Sequence, residues 1–310
     1  MANSWAARLL SHRLRGMGYP EGSLDALQKG LSMGVRLLEI DTRHTRDSRI
    51  VVHHCPAVGA TTTGRGAIRD LTLAEVQDAT FRHSDGRILE LEELLRVLIG
   101  HPEVTLWIDI KDFGLENRYI QLLDEFCMGD RIRLISWIPR TVLSLRQLSP
   151  DVPLGLSCFC TARHKFLHFL MRCVSHSIGI NSRPITPCGP RGRWADILTI
   201  IPQFFPMSHE KIDRTASEYA IGYNHSPIIP GLPGGRLLDA LAQGEGAIGM
   251  FPYQAAPSVI DHTHKAGLKV YVYCLDNLET ATRYLREHHV DVIFTNKAAL
   301  AARFPVLTTF

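Results

Sequence analysis

Residues 23–41 read Ser-Leu-Asp-Ala-Leu-Gln-Lys-Gly-Leu-Ser-Met-Gly-Val-Arg-Leu-Leu-Glu-Ile-Asp, and the organisation of the chain is legible from that stretch. Ser23 is an N-cap, Gly34 stops the helix that it opens, and an apolar run ending in two carboxylates follows at once. That is a helix handing over to a strand whose last residues are ionisable. The same rhythm recurs along the chain. Strands are expected over 7–12, 36–41, 104–110, 132–137, 152–157, 247–251, 269–275 and 291–295. Helices are expected over 23–33, 90–99, 116–126, 140–147, 258–266 and 278–288.

Eight strands alternating with helices in 310 residues predict an α/β fold, a (β/α)8 TIM barrel. A doubly wound open sheet is the competitor, but no Gly-x-Gly-x-x-Gly follows the first strand. One segment, about 161–246, breaks the rhythm and reads as a long insertion between late strands. It is rich in Pro, Arg, His and aromatics. Extra helices packing on the barrel or forming a homodimer contact, a lid, and a membrane-surface patch are its readings in that order. The whole chain, 1–310, is thus expected to be one barrel domain with an inserted subdomain.

Composition excludes several classes. A hydrophobic share of 45% and a charged share of 21% are those of a globular chain with a core. A net charge of +3 gives no case for nucleic acid. Seven cysteines at scattered spacings suggest reduced thiols and a cytoplasmic protein. No signal peptide and no transmembrane run is expected.

Four strand ends concentrate the ionisable residues: His12-Arg13, Glu39-Ile-Asp41, His53-His54 and Asp109-Ile-Lys111. Glu39 and Asp41 are two apart on a strand, so they share a face and repel unless a cation lies between them. All-oxygen ligation selects a hard ion, Mg²⁺ or Ca²⁺. Asp109 ends another apolar run and is a third ligand, with a plain Asp109–Lys111 salt bridge as the structural alternative. Arg13 is a bidentate phosphate clamp, and histidines beside it trade protons near neutral pH. On a strand, His53 and His54 face opposite sides, so only one serves the site. Two histidines beside three carboxylates supply a base and an acid for cleaving a phosphodiester.

The order of these motifs resembles the glycerophosphodiester phosphodiesterase family, whose pattern is His-Arg-Gly, Pro-Glu-Asn-Thr, Glu-x-Asp, Thr-x-Asp-Gly and Val-Val-x-His-Asp. Here it reads His12-Arg13, Pro20-Glu21-Gly22-Ser23, Glu39-Ile40-Asp41, Thr45-Arg46-Asp47 and Val51-Val52-His53-His54. The resemblance implies the same barrel, a single divalent metal on Glu39, Asp41 and Asp109, and His12 and His54 as the acid/base pair. Arg13 and Lys111 would bind the phosphate of a small-molecule phosphodiester; Glu21, Trp137 and Tyr273 would line the pocket.

Departures fall at Leu14 for the family's Gly, Gly22 for its Asn, Cys55 for the Asp after the second His, and Asp109 for a Glu. The late Trp-Thr-Val-Asn becomes Tyr273-Cys274-Leu275-Asp276, and the final Thr-Asp becomes Thr295-Asn296. They put glycerol specificity in doubt and admit a sugar phosphodiester of the agrocinopine type or a lysolipid headgroup. A hydrolase releasing a phosphomonoester and an alcohol is expected. The alternatives are a phosphotransferase or synthase, a lysophospholipase-D-like enzyme (either by way of a cyclic phosphate), and a degenerate phosphosugar-binding barrel.

Overall fold

The computed structural model describes residues 8–160, 228–229, 236–252 and 255–303. Strands are β1 Arg8–Ser11, β2 Leu37–His44, β3 Ile50–Val52, β4 Thr105–Ile110, β5 Ile132–Ser136, β6 Leu154–Ser157, β7 Phe159–Cys160, β8 Ile228–Ile229, β9 Ala247–Met250, β10 Lys269–Val272 and β11 Val292–Thr295. Eight of them, β1-β11-β10-β9-β6-β5-β4-β2, pair parallel in that order, and the β1–β2 pairing closes the ring. This is the (β/α)8 barrel that the strand count predicts. Helices Leu24–Ser32, Leu91–Ile99, Glu116–Glu125, Pro139–Leu148, Arg236–Ala242, Pro257–Lys265, Leu278–Arg286 and Ala298–Arg303 connect the strands, with a short Leu73–Gln77 between β3 and the second of them.

The period-2 alternation of each strand sorts residues between two cores. Leu38, Ile40, Leu106, Ile108, Leu134, Leu156, Ile248, Val270 and Ile293 face outward and pack with the helices. Leu10, Leu37, Trp107, Ile135, Tyr271, Val292 and Phe294 form the interior cluster. Inside, Trp107 meets Tyr271 edge-on at 5.3 Å, and Tyr271 stacks on Phe294 at 5.3 Å. Tyr271 is fully buried and its hydroxyl bonds Ser157 Oγ at 2.8 Å.

That ring fits because two neighbouring strands carry glycine beneath it. A Cβ on Gly249 would overlap the Tyr271 ring, and one on Gly155 would lie 3.2 Å from it. Gly249→Ala is therefore expected to destabilise the barrel by about 2–3 kcal/mol, read as a lower urea midpoint with an unchanged m-value. An unchanged midpoint would show that the Tyr271 ring moves aside at no cost.

Several expected boundaries are corrected. β2 continues three residues past Asp41, because Thr42, Arg43 and His44 pair with the antiparallel β3. His12 is not a strand residue: β1 ends at Ser11, and His12–Leu14 form a 3-10 turn. Arg13 and Leu14 both take φ of 56° there, a left-handed conformation costly for a side chain such as Leu, whose burial in the core offsets it. Likewise β3 stops at Val52, so strand alternation does not decide between His53 and His54. The helix Arg236–Ala242 lies inside the expected insertion and packs on Pro139–Leu148 as an ordinary barrel helix. Within it, 161–227 and 230–235 lie outside the described residues, as does the start of the expected strand at Ala7.

Candidate active site

Strand register brings the carboxylates together. Asp41 on β2 sits beside Asp109 on β4, and Glu39 lies two residues before Asp41 on the same face. A ligand oxygen of each of the three lies within 4.8 Å of the others, and all three side chains are buried. They occupy the C-terminal rim of the barrel, where barrel loops converge. Asp109 Oδ1 is buried and accepts no hydrogen bond among the described residues. An acceptor left bare beside two further carboxylates is the donor set that a hard cation satisfies, so the residues fit a divalent metal.

Two cations hold the cluster. Arg13 Nε lies 2.8 Å from Asp41 Oδ2, and the Arg13 backbone N–H donates to Glu39 Oε2 at 3.0 Å. The left-handed turn after β1 is what aims that N–H at the carboxylate. Lys111 Nζ lies 2.8 Å from Asp41 Oδ1 and donates to Asp109 Oδ2. The Asp109–Lys111 bridge raised as a structural alternative is present, and it is part of the same cluster.

The electrostatics are asymmetric. Burial, then the charges of Asp41 and Asp109, push the Glu39 carboxyl well above the usual range. Burial also works to raise Asp41, but Arg13 and Lys111 outweigh it and hold that carboxyl well below its ordinary value. Asp109 is raised by burial, with Lys111 opposing. Lys111 is raised because Asp109 and Asp41 outweigh the cost of its burial.

His12 reaches this cluster, and His54 is close enough to interact with the Asp41 charge. His12 Nε2 is 3.9 Å from Glu39 Oε2, and its Nδ1 bonds Asn296 Oδ1 at 2.8 Å, with Cys274 Sγ at 3.1 Å. His54 Nδ1 lies 3.6 Å from Cys55 Sγ, and its backbone carbonyl accepts Arg43 Nε at 2.8 Å. Burial first, then the Arg13 charge, holds each imidazole well below the ordinary histidine range. His53 turns away: Nδ1 bonds the Cys55 carbonyl at 2.7 Å and Nε2 the Thr61 hydroxyl at 2.9 Å.

Around them, Trp137 and Tyr273 pack at 5.4 Å with Phe251 alongside, a wall of three rings after β5, β9 and β10. Glu21 is paired with Arg15 on the loop after β1. The sequence pattern does not expose Arg43, a fully buried cation that ties the His54 carbonyl to Asp112 Oδ1 at 2.8 Å. An Arg in a run such as Thr-Arg-His reads as a surface residue until β3 covers it.

Residues 12–164, which carry the three carboxylates, Arg13, Lys111, His12 and His54, match the model of the glycerophosphoryl diester phosphodiesterase family. Those residues carry a domain of that family. A protein of Caldanaerobacter subterraneus subsp. tengcongensis named glycerophosphodiester phosphodiesterase, a phosphoric diester hydrolase, is 26% identical over 181 residues, 55% of this chain and 74% of its own length. A Bacillus subtilis relative is 31% identical over 155 residues, 47% of this chain and 63% of its own. The solved structure of an Oleispira antarctica phosphodiesterase in complex with its product sn-glycerol-3-phosphate superposes with a TM-score of 0.60 at 16% identity. That superposition covers 96% of this chain and 95% of the other. The two share the barrel fold over nearly their whole length. No described helix is long and apolar enough to cross a membrane.

Near the same rim, burial lowers the His44 pKa to about 4, with Asp112 opposing and the Arg43 charge adding to the fall. A folded value below the unfolded 6.5 means that the unfolded chain binds more protons between those limits. The contribution is full above pH 6.5 and is lost as pH falls towards 4, about 3 kcal/mol in all. His44→Gln, which can still reach Tyr119, is expected to flatten the fall of unfolding free energy across that window. Equal slopes for variant and parent would show that His44 does not set it.

Proposed function

We propose that the protein is a metal-dependent phosphodiesterase that cleaves a glycerol- or sugar-type phosphodiester to a phosphomonoester and an alcohol, with His12 and His54 as its acid/base pair. The observation that carries this is the buried Glu39–Asp41–Asp109 set on the barrel rim, with His12 against Glu39 and His54 close enough to act on the Asp41 charge. Family membership of residues 12–164 supports the reaction class. The sn-glycerol-3-phosphate held as product by the Oleispira antarctica phosphodiesterase supports a polyol phosphate as product here. The chain is one barrel domain interrupted by an insertion that starts at about 161 and ends before the helix Arg236–Ala242.

Glu39, Asp41 and Asp109 would hold Mg²⁺ or Ca²⁺, which supplies Lewis-acid polarisation of a phosphoryl oxygen when bound. The residues do the rest. Arg13 and Lys111 fix Asp41 and Asp109 and place two positive charges where the phosphoryl group gathers negative charge. Both imidazoles are neutral at neutral pH before substrate arrives, so a base is ready. One takes a proton from water or a vicinal substrate hydroxyl. The other, charged in the field of the bound phosphate, protonates the leaving alkoxide. The wall of Trp137, Tyr273 and Phe251 offers an apolar face to a glycerol or sugar ring, and Glu21 with Arg15 offers polar contacts at the loop after β1.

The test is turnover by the full chain on a glycerophosphodiester, an agrocinopine-type sugar phosphodiester and a lysophospholipid, with Mg²⁺, Ca²⁺ or chelator. Release of a phosphomonoester from the first or second, dependent on the ion, is expected. Absence of ion-dependent turnover on every substrate would overturn the reading.

A further inference from the structure

Behind His12, on the side away from the carboxylates, lies a second small network that the proposed reaction does not use. Asp276, just after β10, accepts three hydrogen bonds. Its Oδ1 takes the Asn296 backbone N–H at 2.7 Å and the Thr295 hydroxyl at 3.1 Å. Its Oδ2 takes Asn296 Nδ2 at 3.0 Å. A carboxylate only accepts, so the Asn296 amide has no choice of direction: its nitrogen faces Asp276 and its oxygen faces outward. That oxygen lies 2.8 Å from His12 Nδ1, and Arg15 Nη1 approaches it at 3.5 Å, a second donor consistent with an oxygen at that position. An oxygen acceptor there obliges His12 to carry its proton on Nδ1. Cys274 Sγ, at 3.1 Å from the same nitrogen, is then a weak second acceptor.

We infer that Asp276 and Asn296 are positioning residues which, through a one-way chain of hydrogen bonds, lock His12 as its Nδ1–H tautomer and leave the Nε2 lone pair facing Glu39 and the reaction centre. The inference rests on the role proposed above for His12, and it names what makes that role possible. A free neutral imidazole exchanges tautomers; here the choice is made two residues away by the charge on Asp276. The direction of the chain is therefore reversible by chemistry. In Asp276→Asn the new amide nitrogen would meet the Asn296 nitrogen, so the Asn296 amide turns over and presents N–H to His12 Nδ1. The imidazole then has to move its proton to Nε2, where it is useless as a base. Exchanging both residues, Asp276→Asn with Asn296→Asp, restores an acceptor opposite His12 Nδ1 and a donor behind it.

The measurement is the long-range ¹H–¹⁵N spectrum of ¹⁵N-histidine-labelled full-length protein near pH 8, with the His12 signals assigned by their loss in His12→Ala. The parent is expected to show a protonated Nδ1 and a lone pair on Nε2. Asp276→Asn should invert that pattern and lower kcat on the order of 10²-fold with KM changed less than about threefold. The double variant should recover both. An unchanged His12 tautomer in Asp276→Asn, or a double variant that recovers neither, overturns the inference. Inversion and recovery of the tautomer with no change in kcat would uphold the lock and instead remove His12 from the acid/base pair. A Tm and circular dichroism check on each variant separates loss of fold from loss of tautomer.

Discussion

Glu39→Gln is expected to lower kcat/KM on the order of 10³-fold or more while leaving the ion-free protein as stable as its parent, or more so. Asp41→Asn should lose as much activity and also cost roughly 3–5 kcal/mol of stability. The contrast follows from the asymmetry of the cluster. Glu39 is pushed up by burial and by its two carboxylate neighbours, so its neutral form is already favoured without an ion, and a neutral amide of the same shape changes little. Asp41 is the reverse case: it lies 2.8 Å from both Arg13 Nε and Lys111 Nζ, and its loss removes the carboxylate that faces Arg13 and one of the two that face Lys111. Thermal unfolding with and without Mg²⁺ or Ca²⁺ checks both halves. The parent should gain stability from the ion and both variants should not. A Glu39→Gln protein still stabilised by either ion would show that the metal reading is wrong, whatever happens to turnover.

What the chain conceals, it conceals for physical reasons. The barrel is readable because its eight strands are buried on both faces and so announce themselves as apolar runs, several with ionisable residues marking the rim end. The three carboxylates, two cations and two histidines are readable for the same reason: a charge that ends such a run has to be explained. What a linear pattern cannot carry is who holds whom. His54 lies beyond the end of β3 with its carbonyl held by Arg43, so strand alternation does not decide which way its ring turns. Asp276 and Asn296 read separately as two departures from the family pattern, Asp for Asn at one position and Asn for Asp at the other. The fold joins them by two hydrogen bonds, so they are one exchanged pair rather than two losses. The helix Arg236–Ala242 escapes a linear reading because a Pro- and Gly-rich approach masks its short apolar face.

The second large effect concerns the histidines, and it turns on the leaving group. His12→Ala and His54→Ala are each expected to lose about 10³-fold in kcat on an alkyl phosphodiester. The two losses should differ on an activated ester. A nitrophenolate leaves without a proton, so the variant lacking the general acid should regain most of its rate on a nitrophenyl phosphodiester, whereas the variant lacking the base should not. Recovery by one variant alone is the outcome that two distinct roles demand. Geometry favours His12 for the base: its Nδ1 proton is engaged by Asn296 and its Nε2 lone pair looks towards Glu39, the arrangement of an imidazole waiting to accept. His54, beside Arg13, Lys111 and Asp41, sits where a bound phosphate would add the negative charge that an imidazolium needs. His54→Ala should therefore be the variant that recovers. Recovery by both or by neither would dissolve the division of labour, because a shared or electrostatic role does not distinguish good leaving groups from poor ones.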